Sequence, residues 1–308
     1  MKNNFKLIIF YLFLSLIISS KISSSQIINF DVSEIEITEN GDIMKGYNGG
    51  EVTTNNGIKI KAQTFEYIKS KSLIQARGDV NFIDENKNIN IRADKILYLK
   101  DEGKLNASGN IFIIDNDKKL NISANKILYF EEKSEIIASE TVKINDLQTN
   151  LKINADEIAY FKNQEEIIAT GKVKFFDNLK NIKIDSAKAT YSKKIGKIST
   201  EGITNAEIEG KYIFNSKDVT FLKNERRIFS FNKSIIKDNK FSIFKLDEFD
   251  YQIDKEFLKG KNVTIIENSN LSENEISKYF FENGFFDLKN NRFKTGETKI
   301  TLKKNIFD

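Results

Sequence analysis

Apolar and polar residues alternate along most of this chain with the period of two expected of β-strands, and the alternation breaks at regular places. In Ile89-Asn-Ile-Arg-Ala93 every second residue is apolar; Asp94 and Lys95 are then both polar, and the alternation resumes at Ile96 and Tyr98. One extra residue in a strand is the mark of a β-bulge or corner. The same slip recurs at Ala124-Asn125-Lys126-Ile127 and at Ala155-Asp156-Glu157-Ile158. These slips belong to a repeat. Tyr67, Tyr98, Tyr129, Tyr160 and Tyr191 stand 31 residues apart, and Phe221, Tyr251 and Phe286 continue the column at spacings of 30, 30 and 35. Seven residues after each stands another apolar residue: Ile74, Leu105, Ile136, Ile167, Ile198, Ile228, Leu258 and Phe293. A fixed period of this size means one small unit stacked about eight times.

The spacing of seven predicts a tight hairpin. Asp101 and Glu102 as loop residues place Tyr98 opposite Leu105 on the same face. The return strand runs through Ala107, Gly109, Ile111 and Ile113 into the polar loop Asp115-Asn-Asp-Lys-Lys119. A glycine column at Gly78, Gly109, Gly171 and Gly202, broken by Glu140, marks bulges or bends. Strands of ten to twelve residues that bend at one level in every unit give a folded-over sheet, with inward positions of its two walls facing each other. The fold class expected is all-β: an elongated twisted β-jellyroll of about 16 antiparallel strands built from ~31-residue repeats. The repeats are clearest over residues 58–202 and weaker over 203–308, where Leu271-Ser-Glu-Asn-Glu-Ile-Ser277 could form a helical turn.

Composition narrows the chemistry. The chain has no Cys and no His, which removes thiol nucleophiles, thiolate metal sites, disulfides and the commonest general base and metal ligand. No catalytic residue, metal site or cofactor is assigned, and no enzymatic activity is expected. Lys+Arg and Asp+Glu number 48 and 44, and setting aside the three lysines of the first 25 residues leaves a balance of +1. The two signs are interspersed without the basic clustering of a nucleic-acid binder, so no nucleic-acid partner is expected.

Lys2 and Lys6, an apolar run from Leu7 to Ile18, and small residues Ser23 and Ser25 before Gln26 read as an export signal over residues 1–25. The run is too short for a membrane-spanning helix, which takes roughly 20 residues. Residues 26–308 then form one repeat domain, with no linker dividing it.

The stretches Ile89-Asn-Ile-Arg-Ala-Asp-Lys-Ile-Leu-Tyr98 and Leu151-Lys-Ile-Asn-Ala-Asp-Glu-Ile-Ala-Tyr160, with returns Ala76-Arg-Gly-Asp-Val80 and Ala169-Thr-Gly-Lys-Val173, resemble the repeats of the OstA-like family. These are lipopolysaccharide-transport proteins that include LptA, LptC and the periplasmic domain of LptD. The resemblance covers most of the chain after the signal and is best over 58–202. It implies a jellyroll whose apolar groove holds lipid acyl chains, and the number of units is most like the N-terminal jellyroll domain of an LptD-type assembly protein. The implied role is passage of lipopolysaccharide through the periplasm to the outer membrane. The implied partners are lipopolysaccharide, other OstA-like jellyrolls joined edge to edge by strand pairing, and an outer-membrane barrel with its lipoprotein plug. An LptD-type protein would continue past Asp308 into that barrel.

Within this frame the tyrosines read as core pillars. The inward residues Val80, Ile91, Ile111, Ile122, Val142, Ile153 and Val173 are the candidates for touching acyl chains. An apolar lining is equally what a sealed core requires, so a structural or adhesive β-repeat protein is the alternative. Asp94 and Asp156 are expected to bond local backbone at the corner, and Arg226 and Arg227 to form a solvated pair.

Overall fold

Bent strands and tight turns carry the repeat into three dimensions. The computed structural model describes residues 28–240, 242–267, 277–290, 292–295 and 298–301. The expected signal segment and residues 271–276 of the expected helical turn lie outside the described residues. The strands form one sheet of 23 segments, and every pairing is antiparallel. The segments outnumber the bent strands because some strands are cut in two at their corner. Ile43–Thr54, for example, pairs with both Ile58–Ala62 and Thr64–Ile68, the two halves of one strand.

The regular units show the expected register. Tyr98 lies opposite Leu105, Tyr129 opposite Ile136, Tyr160 opposite Ile167 and Tyr191 opposite Ile198. The rule persists where the alternation fades, pairing Phe221 with Ile228, Tyr251 with Leu258 and Phe286 with Phe293. Asp101 and Glu102 are the middle of a turn closed by the Gly103 N–H donating to the Lys100 carbonyl at 3.2 Å.

The parity slips are register shifts, at Arg92/Lys95, Ser123/Lys126 and Asn154/Glu157. Facing them, Gly109 and Gly171 take left-handed backbone at φ 79° and 75°. A Cβ at Gly109 would also press on the Asp94 side chain, and the left-handed conformation is the stronger reason for glycine there. Glu140 occupies the same column at φ 66° without that freedom.

Each bent strand thereby contributes to two walls. The first wall carries the tyrosines; the second carries the stretches typified by Ile89-Asn-Ile-Arg-Ala93 and Val80-Asn-Phe82. Cross-wall packing shows that the walls face each other: the Phe82 ring centroid lies 5.4 Å from that of Tyr98 and 6.3 Å from that of Tyr129, both edge-on. Further along, Phe214 packs on Tyr251 at 5.2 Å. The inward residues of both walls form one continuous core, in which Tyr98, Tyr129 and Tyr191 are fully buried. Burying each large side chain is worth roughly 1.5–3 kcal/mol, and edge-to-face ring pairs add about 0.5–1.5 kcal/mol.

Candidate functional site

A sheet folded over on itself has a closed corner on one side and a mouth on the other, where the hairpin turns of the two walls meet. The interior and this mouth are the candidate site. Val80, Ile91, Ile111, Ile122, Val142, Ile153 and Val173 fall together on the inner face of the second wall, in neighbouring rows such as Val80 opposite Ala93 and Ile91 opposite Phe82. All seven are 0–2% exposed, packed against the first wall. A ligand reaches them only if the walls part.

The mouth is stitched along its length by a polar ladder that repeats with the units. Asp84, Asp115, Asp146 and Asp177 end the return strands of the second wall at spacings of 31 and are buried. Across the mouth, the Tyr129, Tyr160 and Tyr191 hydroxyls donate to Asp84, Asp115 and Asp146 at 2.6, 2.7 and 3.1 Å. Two residues after Tyr160, Tyr191 and Phe221 comes the second donor: Lys162 Nζ reaches Asp115 at 2.7 Å, Lys193 Nζ reaches Asp146 at 2.6 Å, and Lys223 reaches Asp177. Each carboxylate also accepts from its own turn; Asp115 Oδ1 takes the N–H groups of Asp117 and Lys118 at 3.1 and 3.0 Å. A buried charge is tolerable only when paired and hydrogen-bonded, and the Asp115, Asp146 and Asp177 rungs meet that condition with a lysine each, while Asp84 relies on the Tyr129 hydroxyl and the Lys87 N–H.

The rungs vary where the columns vary. Glu131 stands in the lysine column opposite Asn56, whose Nδ2 donates to it at 3.0 Å, and it accepts the Tyr98 hydroxyl at 2.9 Å. Burial raises the Glu131 carboxyl above the usual carboxylate range. The hydroxyls of Tyr98, Tyr129, Tyr160 and Tyr191 are all pushed well above the ordinary phenol range, first by burial and then by their carboxylate neighbours. Nearer the surface, Lys118 pairs with Glu165 at 2.6 Å across the mouth. Arg226 belongs to the same stitching, pairing with Glu209 at 2.6 Å and with Asp254. Its side chain is 12% exposed, so it is no member of a solvated pair; Arg227, more open, pairs with Asp250 at 2.7 Å on the first wall. At the corner, Asp94 accepts from the Asn110 side chain at 2.9 Å rather than from local backbone, because the bulge aims it at the neighbouring strand. Asp156 stands 3.9 Å from Lys172.

Among the described residues the ladder runs no further than the bonds from Lys211 and Tyr212 to Glu256, and beyond them the walls meet through rings, Phe281 on Phe286 at 5.4 Å and Phe244 on Phe286 at 6.3 Å. A cavity of about 410 Å³ lies at this end, lined by Phe244, Ile265, Tyr279 and Phe281 from one wall and Phe286 and Phe293 from the other. Lys240 and Arg292 stand on the same lining. This end lies where the sequence repeat is weakest, and the inward isoleucines and valines did not point to it. The ladder was more accessible: its aspartates and lysines share the 31-residue period, although the aspartates sit where the sequence reads as polar loop.

No protein-family model matches the chain, and no curated protein matches it. Among solved structures, it is similar to LptH, the LptA homologous periplasmic component of the conserved lipopolysaccharide transport device from Pseudomonas aeruginosa. The identity is 12%, over 47% of this chain and 81% of that one, with a TM-score of 0.22.

Proposed function

We propose that this chain is a non-enzymatic lipid carrier that holds lipopolysaccharide acyl chains between its two walls and passes them along the periplasm. The observation that carries the reading is the junction of an unbroken apolar interior with a phenylalanine-lined cavity where the polar ladder stops. The residue-by-residue resemblance of the repeats to OstA-like sequences supports the same reading and supplies the lipid class. Burying one CH₂ is worth about 0.8 kcal/mol, so several long chains would be held firmly. Lys240 and Arg292 offer charges for a phosphate left outside. An LptD-type role at the outer membrane, with a barrel and plug as partners, and edge-to-edge joining to other jellyrolls extend the proposal.

The test is photocrosslinking in an outer-membrane-bearing bacterium, with a photoreactive residue at Phe244, Phe286, Ile91 or Ile153. Lipopolysaccharide adducts at the two phenylalanine positions, and at Ile91 or Ile153 as lipid advances, are the expected result. Absence of adducts at all four sites in a folded protein refutes it. The second reading, a structural β-repeat protein, is favoured by one observation: the described interior from Val52 to Phe221 is packed shut. That reading predicts no adducts.

A further inference from the structure

The nearly neutral sequence hides a segregation of charge that the register exposes. Two rows of side chains point outward from the second wall. One runs Arg92, Phe112, Ser123, Lys143, Asn154, Lys174, Asp185, Asn205, Asn215, Ile235, Lys245 across successive strand pairs. The other passes through Lys152, Phe176, Lys183, Glu207, Ile213 and Lys237. Between Arg92 and Lys245 the acids in these rows are Asp185 and Glu207, and Glu207 is matched by Lys183 at 3.0 Å. Lys143, Lys152, Lys174, Lys217, Lys237 and Lys245 are exposed and, among the described residues, form no ion pair. Outward positions of the first wall instead carry both signs, often paired, as in Lys126–Glu140, Lys188–Glu201 and Arg227–Asp250.

We infer that the outer face of the second wall is a docking surface for an anionic phospholipid bilayer. The occupant follows from the chemistry. Lysines without partners attract a surface of negative phosphates, each contributing about 1 kcal/mol near such a surface. Between them stand half-buried Phe176 and exposed Ile213 and Ile235, the last two 42% and 40% exposed, which can rest against the headgroup and upper acyl region. At the corner next to this face, Phe231 and Ile203 are 77% and 76% exposed beside Lys217. Compact lysines on an extended sheet match a laterally continuous array of charge better than a single bidentate partner, for which arginine would be preferred. The face lies on the outside of the wall, so it operates independently of any lipid held within.

The test is flotation of the purified protein with vesicles of equal parts phosphatidylethanolamine and phosphatidylglycerol, against vesicles of phosphatidylcholine. Binding to the anionic vesicles only, weakening as salt is raised, is expected. Replacing Lys143, Lys152, Lys174 and Lys245 by serine reduces partitioning by about fivefold per lysine. Replacing the first-wall lysines Lys95, Lys104, Lys126 and Lys188 by serine changes it by less than a few-fold, and circular dichroism shows both variants folded. Equal binding to phosphatidylcholine, equal loss in both variants, or binding to a soluble polyanion such as heparin without binding to vesicles would each overturn the inference. The crosslinking experiment reads the interior and the flotation experiment the exterior, so one can fail without the other.

Discussion

Removing a single aspartate from the ladder should reveal how the mouth is held. Asp115→Ala deletes an acceptor that serves the Tyr160 hydroxyl at 2.7 Å, Lys162 Nζ at 2.7 Å and two turn N–H groups. Lys162 is 7% exposed and Asp115 1%, so the deletion leaves a buried ammonium short of a partner. Losing one member of a buried pair costs about 3–5 kcal/mol. Lys162 keeps the Lys87 carbonyl at 2.6 Å and Asp117 at 3.0 Å, which puts the cost near the lower end, ~3 kcal/mol. Urea unfolding should report that loss, and hydrogen exchange should show faster exchange at the Asp117 and Lys118 amides. Adding Lys162→Met removes the stranded charge, so the double variant should be more stable than Asp115→Ala alone, with a coupling of about 1–3 kcal/mol. A loss below about 1 kcal/mol for Asp115→Ala, or no recovery in the double variant, would refute the claim that the rung is a buried, mutually dependent unit.

Three further outcomes follow from the same geometry. The phenols of Tyr129 and Tyr160 titrate above the unfolded value of about 10, so the stability they contribute is complete below that pH and is lost as pH rises further; absorbance at 295 nm should show them ionising only together with alkaline unfolding, and ionisation in the intact fold would contradict this. Glu140→Gly should stabilise by about 1 kcal/mol, because glycine occupies φ 66° without strain and the ion pair lost with Lys126 is exposed; thermal unfolding checks it. Cysteines at Lys118 and Glu165, whose side-chain ends meet at 2.6 Å across the mouth in a chain otherwise free of Cys, should lock the walls and suppress lipid adducts at Ile153 when joined by a cleavable thiol-reactive linker that replaces the two side-chain lengths, with cleavage restoring them; adducts that persist in the linked form would mean that lipid does not pass between the walls.

Legibility differed with the type of signal. Alternation, the slip at Ala93-Asp94-Lys95 and the spacing of seven are local and strictly periodic, and they translate directly into the bulge at Arg92/Lys95 and the pairing of Tyr98 with Leu105. The tyrosines were readable as core pillars because each has a fixed apolar partner. The ladder was harder to see, since Asp115 and Tyr160 are 45 residues apart and meet only because the sheet folds over and advances by one and a half units. Asp115 also looks like any turn aspartate, and in part it is one. The basic face was invisible for a related reason. Lys143, Lys174 and Lys245 are separated along the chain by oppositely charged residues that the pleat sends to other surfaces.

The ladder bears on whether a closed core is compatible with a lipid carrier. Deleting one partner of a rung is costly because the other stays buried; parting the walls is different, because both partners then meet water and the net loss per charged hydrogen bond falls to roughly 1.5–3 kcal/mol. The greater cost of opening is the apolar lining itself, exemplified by Ile91 and Ile153 at 0% exposure. An acyl chain inserted in that gap covers the same lining and buries its own surface, at about 0.8 kcal/mol per CH₂, so a chain of a dozen carbons gives back roughly 10 kcal/mol. With two such bonds across the mouth in a full rung, one chain offsets about two rungs. The arrangement favours a zipper that opens next to the lipid and closes behind it, beginning at the end where the described ladder gives way to the phenylalanine-lined cavity.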